Sequence, residues 1–149
     1  LFGAGCFWGV EETFRKLSGV KKTEVGYSGG VTINPTYESV CQGNTNHAEV
    51  VLIEFDESEI SFESLLNHFW KNHDPTTINR QGPDIGTQYR SVIFYYNEKQ
   101  KKIATDSKND QTKNYNSNIV TEISKAKEYY KAEDYHQKYI QKTGLHCNI

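Results

Sequence analysis

The sequence predicts an α+β fold in which helices cover one sheet. Three observations carry that expectation. Strand-like apolar runs and stretches of helical period are mixed along the chain, with no repeats and no obvious linker. The best strand, Ala48 to Phe55, holds the unbroken apolar run Val50-Val51-Leu52-Ile53, which predicts burial on both faces. The best helix starts at Ser61 and sets Phe62, Leu65, Leu66, Phe69 and Trp70 on one apolar stripe. A length of 149 residues fits a single domain, residues 1–149, with a real core.

In chain order, Leu1 to Ala4 reads as a short strand running into a turn at Gly3 and Gly5. A helix is expected from Phe7, with Phe7, Val10, Phe14 and Leu17 at helical spacing and Gly19 able to end it. Lys22 to Tyr27 reads as a strand closed by Ser28-Gly29-Gly30. Val31 to Asn46 has no clean period and is rich in Gly, Asn and Thr, so a loop is expected. After the Ala48 strand and the Ser61 helix, Asp74-Pro75 stops the helix, because the residue before proline disfavours the helical region. Thr76 to Gln88 is a long loop holding Gly82, Pro83 and Gly86, the kind of loop that often carries function. Tyr89 to Tyr96 reads as a strand rich in Val, Ile, Phe and Tyr, and Asn97 to Asn116 is strongly polar with a weak helical pattern. Ile119 to Ile123 reads as a short strand, Glu133 to Lys142 as a short helix, and Gly144 to Ile149 as a tail.

A net charge of -2 leaves no electrostatic footprint for nucleic acid or for an acidic membrane surface. No apolar run approaches the roughly 20 residues of a membrane-spanning helix. The three cysteines, Cys6, Cys41 and Cys147, are widely spaced and form no C-x-x-C. That is no secreted disulfide framework, and it suits a reducing, cytoplasmic setting with thiols used for chemistry. His68, His73 and His146 show no metal-ligand spacing with cysteine, so neither a metal nor an organic cofactor is expected. The chain begins at Leu1, which leaves a signal or a fused domain upstream open.

Cys6 sits in Gly3-Ala4-Gly5-Cys6-Phe7-Trp8-Gly9, at a predicted strand-to-helix junction. Free N–H groups and the helix dipole stabilise a thiolate there. The plainer reading is a small buried hydrophobe, and spacing alone leaves the two about even. The glycines, which let another molecule approach, and the helix start favour the nucleophile.

Several blocks then fall in register. Gly5-Cys6-Phe7-Trp8-Gly9-Val10-Glu11, Val25 to Gly30, Pro35-Thr36-Tyr37, His47-Ala48-Glu49, Asp74-Pro75, Gln81 to Ser91 and Ala132 to Gln137 together resemble the A-type peptide methionine sulfoxide reductases over nearly the whole chain. Asn46 stands where that family usually has Gly, and the chain ends two residues after Cys147, without the longer cysteine-bearing tail of some relatives. The resemblance implies a two-layer α+β sandwich with a ferredoxin-like core and a mixed sheet covered by helices. It also implies thiol-dependent reduction of methionine S-sulfoxide, free or in proteins, as antioxidant repair. A thioredoxin-like partner would supply the electrons, and a monomer is expected.

By the same resemblance, Cys6 attacks the sulfoxide sulfur and Glu49 protonates the leaving oxygen, which requires a neutral carboxyl. Tyr37 and Tyr89 would donate hydrogen bonds to that oxygen, Asp84 would fix the network, and Phe7 and Trp8 would hold the ε-methyl group. Cys6 would become a sulfenic acid, and Cys147 would resolve it to an intramolecular disulfide. Cys41 reads more simply as a structural thiol, and Glu11 as a solvated helix residue. His136 reads as satisfying a fold hydrogen bond or orienting a neighbour, and His47 as serving the turn before Glu49. Two competing readings remain: a Cys–His hydrolase using His136 or His47 as base, and a redox sensor or binding module without turnover.

Overall fold

The structure, a computed structural model, describes residues 1–145. Cys147 therefore lies outside the described residues. Strand β1 (Phe2–Ala4) leads into helix α1 (Phe7–Arg15), and the hairpin of β2 (Val20–Ser28) and β3 (Ala48–Phe55) follows, with a short helix α2 (Tyr37–Cys41) in its connection. Helix α3 (Phe62–Asn72) precedes a two-residue ribbon, β4 (Arg80–Gln81) and β5 (Asp84–Ile85). Then come β6 (Ser91–Tyr95), α4 (Glu98–Gln111), β7 (Glu122–Lys125), β8 (Tyr129–Lys131) and α5 (Tyr139–Thr143). The sheet runs β7-β6-β1-β3-β2-β8. Its inner four strands are antiparallel neighbours joined through α1 and α3, a ferredoxin-like βαββαβ arrangement, and β7 adds a parallel edge. The α+β expectation is met. Among the described residues no helix is long and apolar enough to cross a membrane.

The two edge strands are separated by only Ala126, Lys127 and Glu128. Five inter-strand spacings come to roughly 24 Å across a flat sheet, whereas four residue steps reach about 14 Å at most. The sheet must curl until its edges approach. Ala126 and Tyr129 then fill its inner side against Leu1, Ala48, Val50, Val92 and Phe94. The other face carries the main core, with Phe2, Val25, Val51 and Ile93 under Phe14 of α1 and Phe69 of α3. Val50 and Val51 thus enter different cores, as the apolar run of β3 predicts.

Several local expectations change. The stretch 31–46 contains α2, because Thr36 and Ser39 form a reciprocal cap that nucleates a turn. Helix α1 ends at Arg15, before Gly19. Tyr89 is not on a strand: it closes a 3-10 turn, Thr87–Tyr89, and pairing starts only where Ser91 meets Ala4. The polar stretch after Tyr96 forms α4, capped by Asn97, whose side chain accepts from Gln100 N–H at 2.8 Å. The strand expected at 119–123 shifts to 122–125, where Glu122 finds Val92. No single helix spans Glu133 to Lys142. Gln137 donates to Val25 O and accepts from Val25 N–H, both at 2.9 Å, and Lys138 turns left-handed at φ 52, so the helix starts only at Tyr139.

Below the sheet, His73 is buried, with Nδ1 on Phe69 O and Nε2 on Ser91 Oγ, each at 2.7 Å. Burial pushes its imidazole down from 6.5 to about 4. The unfolded chain takes up that proton near pH 6.5 and the folded chain only near pH 4. The stabilisation is therefore complete above pH 6.5 and lost as pH falls towards 4. At about 1.4 kcal/mol per unit the loss is roughly 3 kcal/mol. Urea unfolding at pH 7 and pH 4 should show this extra loss in the parent protein and not in His73→Gln.

Candidate active site

β1 ends and α1 begins within two residues, and Cys6 is the N-cap between them, half-buried, at φ -56 and ψ 120. Gly5 makes the corner at φ 95, and a Cβ there would stand 2.8 Å from the Gln81 side chain. The Cys6 side chain makes no capping hydrogen bond, and its position at the positive end of the α1 dipole favours negative charge.

β3 runs antiparallel to β1, so its first residues lie beside the last of β1. Glu49 is 2% exposed, and its Oε1 accepts from Phe7 N–H at 3.2 Å. One carboxyl oxygen is thereby fixed at the first turn of α1, one residue from the thiol. The loop before β3 is shaped for this. His47 Nδ1 accepts from Gly30 N–H at 3.0 Å, so its Nε2 carries the proton given to Thr32 O at 2.7 Å. A Cβ on Gly30 would stand 2.3 Å from His47 N. Asn46 takes φ 60, a left-handed state that asparagine tolerates, which is why it can replace glycine there.

Two phenols flank the carboxyl. Burial, and then the charge of Glu49, raise the Tyr37 phenol far above its ordinary value. Tyr89 is raised likewise, by burial first and then by the nearby groups of Glu49, Cys41, Asp84 and Cys6. Both stay neutral O–H donors throughout the working range of pH. Burial also raises the Asp84 carboxyl. Phe7 is buried and Trp8 half-buried, and their rings stand 6.5 and 6.4 Å from Tyr37. The structure thus gathers Cys6, Phe7, Trp8, Tyr37, Glu49, Tyr89 and Asp84 around one end of β1.

Cys41 ends α2 on the exposed side and shares a hydrogen bond with Tyr37; burial of the thiol raises its pKa, which favours the unreactive thiol. His136 is fully buried and accepts from Trp8 Nε1 at 2.9 Å, so its proton is on Nε2. Burial lowers its pKa, which favours the neutral ring. With Nδ1 of both His136 and His47 already accepting, neither histidine is a base for Cys6, which removes the main support of the hydrolase reading.

Two contributors escaped the sequence reading. Tyr139 stacks on Trp8 with centroids 3.9 Å apart and planes 13° off parallel. Glu133 accepts from Tyr37 N–H at 3.0 Å and from Tyr27 O–H at 2.9 Å. Although burial pushes its carboxyl up, these donors hold it below the usual range. Three-residue spacing from His136 was the available signal for Tyr139, and its place in the Ala132-to-Gln137 block for Glu133. Glu11, expected in solvent, is 1% exposed, because α1 turns that side to the sheet.

Comparison with known proteins fits this geometry. A family model described as peptide methionine sulfoxide reductase matches residues 1–148. Over 96% of its length the chain is 57% identical to peptide methionine sulfoxide reductase A4, chloroplastic, of Arabidopsis thaliana, and it spans 55% of that protein. Two other plant relatives are likewise spanned over 55% and 56% of their length, so the chain matches about half of these proteins. Against peptide methionine sulfoxide reductase MsrA of Acinetobacter baumannii the identity is 57%, over 100% of this chain and 87% of that one. Reduced Mxr1 of Saccharomyces cerevisiae has a similar structure, with a TM-score of 0.93 and 36% identity over 98% of this chain and 85% of that one.

Proposed function

The chain belongs to the peptide methionine sulfoxide reductase family, and from that premise we propose that it reduces methionine S-sulfoxide, free or in proteins, to methionine. The observation that carries the reading is the Glu49 carboxyl fixed on Phe7 N–H beside Cys6, beneath neutral phenols and an aromatic wall. A soft nucleophile and a proton donor are what a sulfoxide needs.

Cys6 thiolate attacks the sulfoxide sulfur, and Glu49 gives its proton to the oxygen. The role requires Glu49 to carry its proton when the sulfoxide is attacked. Tyr37 and Tyr89 donate to the oxygen as charge builds on it. Phe7, Trp8 and Tyr139 enclose the methyl group. Methionine leaves and Cys6 is oxidised to the sulfenic acid. The thiol of Cys147 then attacks that sulfur, water departs and a disulfide forms. A thioredoxin-like dithiol returns both cysteines to thiols. The sum is one sulfoxide and one dithiol consumed, with one thioether, one disulfide and one water formed.

The test is incubation with dithiothreitol and each separated epimer of a blocked methionine sulfoxide, with methionine quantified. Turnover of the S epimer alone is expected; turnover of neither would remove the reading. Tyr37→Phe and Tyr89→Phe each delete one donor to the oxygen. Each should lower kcat by about 10-fold or more with little change in KM, and the double variant should lose over 100-fold. Steady-state kinetics on the S epimer checks this.

A further inference from the structure

Glu11 is a buried carboxyl that the chemistry above leaves without a task. It lies on α1 one helical turn beyond Phe7 and Trp8, 1% exposed. Its Oε1 accepts from Lys138 N–H at 2.6 Å, and its Oε2 from the Thr23 hydroxyl at 2.8 Å. Helix, sheet and the segment before α5 therefore meet at this one side chain. Lys138 is left-handed, at φ 52 and ψ 40, a state that an L residue enters only at a cost. Its own side chain is exposed and explains nothing about that conformation. The next residue, Tyr139, stacks on Trp8, and His136, two residues earlier, holds the indole N–H. The segment 136–139 is thus attached to α1 at two points three residues apart, Trp8 and Glu11.

We infer that Glu11 is a positioning residue. By holding the Lys138 N–H it sets the turn that presses Tyr139 onto Trp8 and so fixes the apolar wall beside Cys6. The inference rests on the sulfoxide reading for its kinetic consequence, and on hydrogen bonding alone for its structural one.

The test compares Glu11→Met, which fills the space and removes both acceptors, with Glu11→Gln, whose amide oxygen can still accept from Lys138 while its NH₂ donates to the Thr23 hydroxyl. Amide hydrogen exchange is followed at residues 136–141 and along β3, and kinetics are run on the blocked S-sulfoxide with dithiothreitol. Glu11→Met should speed exchange at Lys138, the amide that Glu11 holds, by about 100-fold while β3 keeps its protection. It should raise KM about tenfold and change kcat less than about threefold. Glu11→Gln should return both readouts to within about twofold of the parent. Combined with Tyr139→Leu, the effect of Glu11→Met on KM should largely vanish, because both act through the same contact.

Faster exchange with an unchanged KM, additive effects with Tyr139→Leu, or a Gln variant that behaves like Met each overturns the inference. Should Glu11→Met not fold, the near-isosteric Thr23→Val removes one of Glu11's two holds and should raise KM about threefold with faster Lys138 exchange; no change in either overturns it. A parent protein that reduces no sulfoxide sinks the functional reading, while the exchange data still decide whether Glu11 holds the turn.

Discussion

Replacing Cys6 with serine is expected to lower reduction of the S-sulfoxide by more than about 10⁴-fold while leaving the fold intact. Serine preserves the shape of the N-cap and is a good cap itself, so the melting temperature should hold or rise slightly. What disappears is the nucleophile. A serine hydroxyl is not ionised near neutral pH, even over a helix N-terminus, and its oxygen is a hard atom facing a soft sulfur. Methionine release measured with excess dithiothreitol, beside a thermal melt, separates chemistry from folding. Turnover surviving in a folded Cys6→Ser protein would move the nucleophile to Cys41 or Cys147.

Glu49→Gln should cost about 10² to 10³-fold in kcat, the usual worth of a positioned general acid. Glutamine keeps the oxygen that accepts from Phe7 N–H at 3.2 Å, so α1 should stay docked on β3. Only the transferable proton is removed. The pH profile tells this apart from a structural role: the parent rate should fall as the acid loses its proton on the alkaline side, and the Gln variant should lack that limb. A loss under about tenfold with the limb retained would leave Glu49 as a clamp on α1, and another acid would be needed.

Much of this was legible in the sequence because it depends on short-range patterns. The stripe Phe62-Leu65-Leu66-Phe69-Trp70 defines α3 by period alone, and the Gly5-Cys6 corner announces a thiol at a helix start. What stayed hidden depends on partners distant in the chain. β8 is three residues long and exists only because Gly26 to Ser28 offer an open edge. The break at Lys138 follows from Glu11, 127 positions away. α4 buries Ala104 as its one fully covered residue and so shows no stripe, its helicity resting on Asn97 and on good helix formers. Tyr89 reads as strand by composition, yet the turn that closes on Gly86 O at 3.1 Å holds it at the mouth of the site. Glu11 reads as solvated for a related reason: a lone carboxylate on a helix normally faces water, and nothing local announces Thr23 and the Lys138 amide as its partners.

The curled sheet bears on how a protein of this kind survives its own substrates. On the proposed reading it handles oxidised chains that are damaged and partly unfolded, and such chains pair readily with an open strand edge. Among the described residues the main sheet's outer margins are the four residues of β7, the three of β8 and residues 20–24 of β2, which β8 does not reach, and they carry the exposed lysines Lys21, Lys22, Lys125 and Lys131. Short, rolled up and set with lysines, these margins offer little template on which a client could nucleate an aggregate.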